Sequence, residues 1–136
     1  MELVPYIFFY GRCEEALEFY KRVLGGRYEL QRNSDTEMPM PENTDPSFRD
    51  KVMHARFEAD GLKFFASDGA GGKTIDPDAG NISLAIEFDE AAQGERIFNA
   101  LSEGGTIKAP LEAAFWGGKF GMFVDRFGIE WMITTP

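Results

Sequence analysis

One cysteine and one histidine are all that this chain of 136 residues holds of those two types. A lone thiol, Cys13, cannot close an internal disulfide, as expected of a protein from a reducing compartment. No apolar run approaches the roughly 18 residues a membrane-spanning helix needs. Met1-Glu2-Leu3-Val4-Pro5 lacks a basic stretch followed by an apolar one, so it does not read as a secretory signal. These absences predict a cytoplasmic protein with no membrane partner. Basic clusters are missing too: 14 Lys and Arg stand against 23 Asp and Glu, a formal charge of −9. Such a surface repels nucleic acid and serves solubility. Gly72-Lys73-Thr74 matches only the end of a phosphate-binding loop, since Ser67 replaces the earlier glycine and no helix is expected after it. No glycine-rich strand-to-helix turn supports nicotinamide or S-adenosylmethionine binding. Asn81-Ile82-Ser83 fits a glycosylation sequon but opens an apolar strand, and is discounted.

Apolar residues make up 43% of the chain, enough for the core of a single domain over 1–136. Leu3–Tyr10 reads as a strand, with Pro5 marking an edge or a bulge. Cys13, Ala16, Leu17, Tyr20 and Leu24 form a helical stripe, with acids in the first turn, bases in the last, and Gly25-Gly26 as the stop. Strands are expected at Arg27–Arg32, Val52–Ala59 and Leu62–Ser67, the last two joined through Asp60-Gly61. Residues 33–50 read as a long mobile loop, in which Met38 and Met40 could cover a pocket. The order then repeats: a strand at Asn81–Phe88, a helix from an Asp89 N-cap to about Ser102, Gly104-Gly105, and strands at Thr106–Ala109, Phe120–Asp125 and Ile129–Thr134. Laid on each other, Gly25-Gly26 matches Gly104-Gly105, Phe9 matches Phe88, and Gly61-Leu62-Lys63-Phe64 matches Gly128-Ile129-Glu130-Trp131. The fold class is thus α+β, two tandem βαβββ modules (about 1–68 and 81–136) around a connector, 69–80.

Pro5-Tyr6-Ile7-Phe8-Phe9 and Cys13-Glu14-Glu15-Ala16-Leu17-Glu18-Phe19-Tyr20 resemble the start of the PhnB-like family. Met53-His54-Ala55, Ser67-Asp68, Phe115-Trp116-Gly117 and Asp125 to Trp131 continue the resemblance along the chain. That family is a branch of the glyoxalase/bleomycin resistance/dioxygenase (vicinal oxygen chelate) superfamily, often labelled a 3-demethylubiquinone-9 3-methyltransferase domain. The resemblance implies a curved mixed sheet with helices on its convex face, a concave cavity, and a homodimer. In many relatives the cavity holds a divalent metal. The ligand positions of metal-using relatives fall here near Pro5, Phe65, Asn81 and Met132, which do not make a metal site. A weaker set of His54, Glu58 and Glu130 stays open, and no other cofactor is expected.

His54 could be a general base or a donor to a ligand, or be satisfied by Glu58 or a neighbouring strand. Arg56 could clamp an anionic ligand or pair with Glu58. Glu130 could be a base or metal ligand, or pair with Arg56 or Lys119. Asn81 and Ser83 could bond a ligand or be ordinary strand polar residues. Phe115 and Trp116, before Gly117-Gly118, could form a gate, close the core or line a dimer seam. Cys13 is assigned to the core. Three functions follow: a dimeric small-molecule-binding protein, a metal-dependent lyase, isomerase or dioxygenase near His54 and Glu130, and a ligand-free structural or regulatory dimer.

Overall fold

The computed structural model describes residues 1–40 and 42–136. It divides into two compact units, Met1–Ile75 and Asp76–Pro136. The first contains β1 (Tyr6–Phe8), α1 (Cys13–Leu24), β2 (Arg27–Arg32), β3 (Val52–Ala59) and β4 (Leu62–Ser67). The second contains β5 (Leu84–Glu87), α2 (Ala91–Ser102), β6 (Thr106–Ala113), β7 (Lys119–Val124) and β8 (Glu130–Thr135). Each unit has one four-stranded sheet, ordered β1-β4-β3-β2 and β5-β8-β7-β6. In both, the first strand runs parallel to the last and the other pairs are antiparallel. The α+β class and the two tandem modules read from the sequence are those of the structure.

The repeat extends to register. Aligning Phe9 with Phe88 places Tyr6 on Ala85, and aligning Gly61 with Gly128 places Phe65 on Met132. The sheets pair these same residues, Tyr6 with Phe65 and Ala85 with Met132. The turns after the helices also correspond. A Cβ on Gly26 would lie 2.1 Å from the Glu58 carbonyl oxygen, and one on Gly105 would lie 2.1 Å from that of Val124. Only glycine lets the chain leave each helix against the neighbouring strand.

In the first unit, α1 buries Cys13, Ala16, Leu17 and Tyr20 completely against the β3–β4 face carrying Ala55, Phe57, Phe64 and Ala66. Phe57 and Phe64 stack at 4.9 Å, and Tyr20 meets Phe64 edge-on at 5.8 Å. Burial of each such ring stabilises the unit by about 2–3 kcal/mol. The start of α1 is tied by Asp68, whose buried carboxylate accepts from the backbone N–H groups of Gly11 (2.7 Å), Cys13 (2.8 Å) and Val52 (2.8 Å). Val52 is buried although strand alternation puts it with the polar face. A register shift between Gln31 and Arg32 turns it back to the core. In the second unit, Ile97, Phe98 and Leu101 of α2 are buried, with Phe98 edge-on to Phe123 at 5.1 Å.

Several boundaries differ from the sequence reading. β1 is shorter than Leu3–Tyr10 because it pairs only with β4, and Tyr10 turns to a positive φ of 50°. As the edge strand of its sheet it tolerates Pro5, whose carbonyl accepts from the Phe65 N–H at 2.9 Å. β5 starts at Leu84, leaving Asn81 and Ile82 outside it and exposed. β6 continues through Pro110 to Ala113 as an irregular edge strand. The α2 N-cap is Glu90, not Asp89, and it makes no side-chain cap bond. Residues 33–50 are not simply a loop: short 3-10 helices form at Asn33–Asp35 and Pro46–Asp50, joined by an Asn33 Nδ2–H bond to the Phe48 carbonyl. Met38 within it is exposed.

Candidate functional site

Strand alternation leaves each sheet a face turned away from its helix. In the first unit that face carries Tyr6 and Phe8 from β1, Phe65 from β4, and His54, Arg56 and Glu58 from β3. Tyr6 is 42% exposed and Phe8 46% exposed, high values for rings inside a strand. Tyr6 lies 5.0 Å from Phe8, 5.7 Å from His54 and 6.2 Å from Phe65 between ring centroids, and His54 lies 5.3 Å from Phe65. The Tyr6 hydroxyl meets His54 Nδ1 at 3.1 Å. The sole imidazole is therefore anchored from β1, across the intervening β4, and not by Glu58 or an adjacent strand as expected.

Glu58 pairs with Arg56, as the sequence suggested, through Nε at 2.7 Å and Nη2 at 2.6 Å to Oε1. Its other oxygen accepts from Arg27 Nη2 at 3.3 Å. A shallow cleft of about 240 Å³ lies beside these residues, lined by Arg27, Tyr28, Glu29, Arg56 and Glu58. Tyr28 donates to Glu18, and that bond, followed by burial, pushes its phenol up to about 12.

The second sheet presents different chemistry. Glu130, at the start of β8, accepts from Lys108 Nζ at 2.8 Å and from the Ser83 hydroxyl. Its side chain is 11% exposed. The bond from Lys108, then that from Ser83, holds the carboxyl below the usual carboxylate range. The expected pairing with Arg56 or Lys119 is replaced by Lys108, and Lys119 bonds Glu95 at 2.5 Å instead. A carboxylate so stabilised is a poor base at neutral pH and a good fixed negative charge. Phe115 and Trp116 sit on the β6–β7 turn at 97% and 58% exposure, so they do not close the core. Trp116 meets Phe120 edge-on at 6.1 Å. Cys13 is wholly buried, and burial, then the charges of Asp68 and Glu14, pushes its thiol far above the usual range, leaving it inert.

Among the described residues, no three His, Cys, Asp or Glu side chains gather to hold a metal ion. His54 Nδ1 is engaged by Tyr6, both oxygens of Glu58 by arginines, and both oxygens of Glu130 by Ser83 and Lys108. These donors do not fit the divalent-metal centre that vicinal oxygen chelate chemistry needs. Sequence reasoning missed Tyr6, Phe8 and Lys108. The alternation of β1 marks Tyr6 and Phe8 as a pair on one face. Lys108 carries no comparable signal, because its partner lies 22 residues away and is fixed only by register.

A family model described as 3-demethylubiquinone-9 3-methyltransferase matches residues 1–134. Protein YjdN of Escherichia coli strain K12 is 32% identical, over 99% of this chain and 95% of its own. The crystal structure of protein PA1353 from Pseudomonas aeruginosa is 37% identical and superposes with a TM-score of 0.82, covering 99% of this chain and 97% of that one. A Bacillus cereus structure described as a PhnB protein and putative 3-demethylubiquinone-9 3-methyltransferase is 25% identical, with a TM-score of 0.73 and full coverage of both chains. More distant solved structures of the glyoxalase/bleomycin resistance/dioxygenase superfamily share the fold.

Proposed function

The chain belongs to the 3-demethylubiquinone-9 3-methyltransferase family, the PhnB-like branch of the glyoxalase fold, and from that premise we propose that it binds a small organic molecule against the open sheet faces, as a homodimer and without a resident metal. The observation that carries this reading is the first sheet's open face, where half-exposed rings surround a hydrogen-bonded Tyr6–His54 pair. A few oriented polar groups amid apolar and aromatic surface is the usual composition of a small-molecule site. His54 and Arg56 are the polar groups that the first sheet offers a ligand; taken by itself, the second offers Ser83, Glu130 and Trp116, with Asn81 at the margin. Their role is to bind and orient, since Glu130 is kept ionised by Lys108 and Glu58 is neutralised by two arginines.

Native mass spectrometry of freshly purified protein, before any chelator or added metal, tests the reading. It expects a metal-free dimer mass carrying an organic adduct that mild activation releases. One divalent ion per chain would restore the metal-dependent lyase, isomerase or dioxygenase reading. A bare dimer that gains no mass from any member of a metabolite extract would favour a structural role, and a monomer at micromolar concentration would remove the dimer.

A further inference from the structure

We propose that the open face of the first sheet is a platform for a planar aromatic molecule bearing a hydrogen-bond acceptor on its edge. This rests on the small-molecule reading above and names the ligand class. A strand face turned to water is ordinarily polar. Here Ile7 and Phe9, the neighbours of Phe8, turn inward and Phe9 is buried, while Tyr6 and Phe8 turn outward. The outward rings are not overflow from the core, and they form a continuous set with His54 and Phe65 whose centroids lie 5.0–6.2 Å apart. Rings at such spacing present π-faces and edges to a further flat ring, and each aromatic contact adds attraction beyond its buried area. The second sheet does not repeat this grouping: in matching register Ala85, Met132 and Phe120 stand for Tyr6, Phe65 and His54, and Phe120 meets Trp116 of the β6–β7 turn instead.

The polar group fixes the ligand's edge. In the tautomer whose Nδ1 accepts from the Tyr6 hydroxyl, Nε2–H is a donor, and no described residue accepts from it. That N–H is the donor a stacked ligand would meet with an acceptor on its edge. Arg56, in register with Phe65, already bonds Glu58, so its charge is offset locally and the ring surface decides the ligand class.

Calorimetric titration of the full chain with 2-naphthoate and its saturated counterpart, decahydro-2-naphthoate, tests this. The acids share the acceptor and differ in aromaticity. The wild type should bind naphthoate about ten-fold more tightly, and Phe8→Leu should cost naphthoate about five-fold and leave the saturated acid unchanged. Phe8 lies outside the core, so an unchanged urea midpoint would show that Phe8→Leu folds. Chemical-shift changes on naphthoate addition should centre on the Tyr6 and His54 rings, in a measurement that needs no variant. Equal affinity for the two acids would overturn the aromatic platform and leave small-molecule binding standing. Binding of neither acid, or shifts that avoid the Tyr6 and His54 rings, would also overturn the platform, while the mass-spectrometric adduct would judge the binding reading independently.

Discussion

Tyr6 and Phe65 pair across β1 and β4, and the repeat puts Ala85 and Met132 at the same register across β5 and β8. Pairing register with β4 and β8 likewise matches Arg56 to Met122, and His54 to Phe120. The two sheets share strand order, pairing and helix-exit glycines, yet one open face groups Tyr6, Phe8, Phe65 and His54, while the other sets Phe120 among methionines beside a Glu130 bonded to Ser83 and Lys108. Core-facing positions are held in common (Phe57 with Phe123, Phe64 with Trp131), because each must fill the same gap beneath a helix. Open-face positions carry no such constraint, and that is where the modules diverge. The Tyr6–His54 ring cluster of the first module and the Glu130–Lys108–Ser83 cluster of the second are therefore where each module departs from apolar filler.

The modules also anchor their helices differently. Asp68, whose counterpart by the repeat is Thr135, gathers three backbone N–H groups from two segments, whereas Thr135 packs its methyl group towards Gly94. Asp68→Ala would leave those donors unpaired near the core and should cost about 4 kcal/mol, read as a drop in urea midpoint. Thr135→Val removes one hydroxyl bond, to the Pro136 carbonyl at 3.3 Å, and should cost about 1 kcal/mol. Equal losses at the two sites would show that the helices are held alike after all. Next in size are the helix-exit glycines. A methyl on Gly26 or Gly105 meets backbone oxygen rather than a movable side chain, so each alanine variant should lose about 2–3 kcal/mol. Gly26, with φ of 81°, should suffer more than Gly105, which has no positive φ.

A smaller effect separates the modules by pH. Glu130 is nearly enclosed, with its carboxyl held low by Lys108 and then Ser83. In the first module Arg32 does the same for Glu14, whose side chain is 49% exposed. A carboxyl depressed in the folded state contributes stability above its unfolded value, about 4.3, and loses it as pH falls through the folded value. The difference in urea midpoint between wild type and Glu130→Gln should be full above about pH 5 and shrink as pH falls below the unfolded value and through the lower folded one. Glu14→Gln should show the same direction with a smaller amplitude, because solvent screens the exposed pair. A gap that widened on acidification would refute the Lys108 anchor.

Elements whose periodicity reflects burial were legible. α1, β2, β3 and β4 fall where stripe and alternation placed them, and the register match confirms the repeat. The strand misses lie at sheet edges, and the others at the α2 N-cap and in the 33–50 connection. β1 and β5 are shorter than expected because one partner strand sets their length, and β6 outlasts its expected end at Ala109 because an unpaired edge needs no donor at Pro110. At the site, His54, Arg56 and Glu130 stood out as rare or charged residues in strands, and the Arg56–Glu58 pair was readable because its members lie two apart on one face. The Tyr6–His54 and Lys108–Glu130 pairs were not readable, since strand register created them and one sequence carries no register information between distant segments.

The smallest predicted effect concerns the start of α2, where the second module lacks what Asp68 supplies to the first. Glu90 has the extended backbone of an N-cap, φ −122° and ψ 127°, but its side chain makes no cap bond. Gln93 already stands at the third helical position, so Glu90→Ser would write the reciprocal Ser-x-x-Gln box. The serine hydroxyl would accept from the Gln93 N–H, and the Gln93 side chain would accept from the residue 90 N–H. Replacing Glu90 also removes an acid from the positive end of the helix, which offsets part of the gain. The net should be about 0.5 kcal/mol of added stability, seen as a small rise in urea midpoint that persists at high salt. A fall in the midpoint would mean that the charge of Glu90, rather than hydrogen bonding, holds this helix start, and would separate the two modules further.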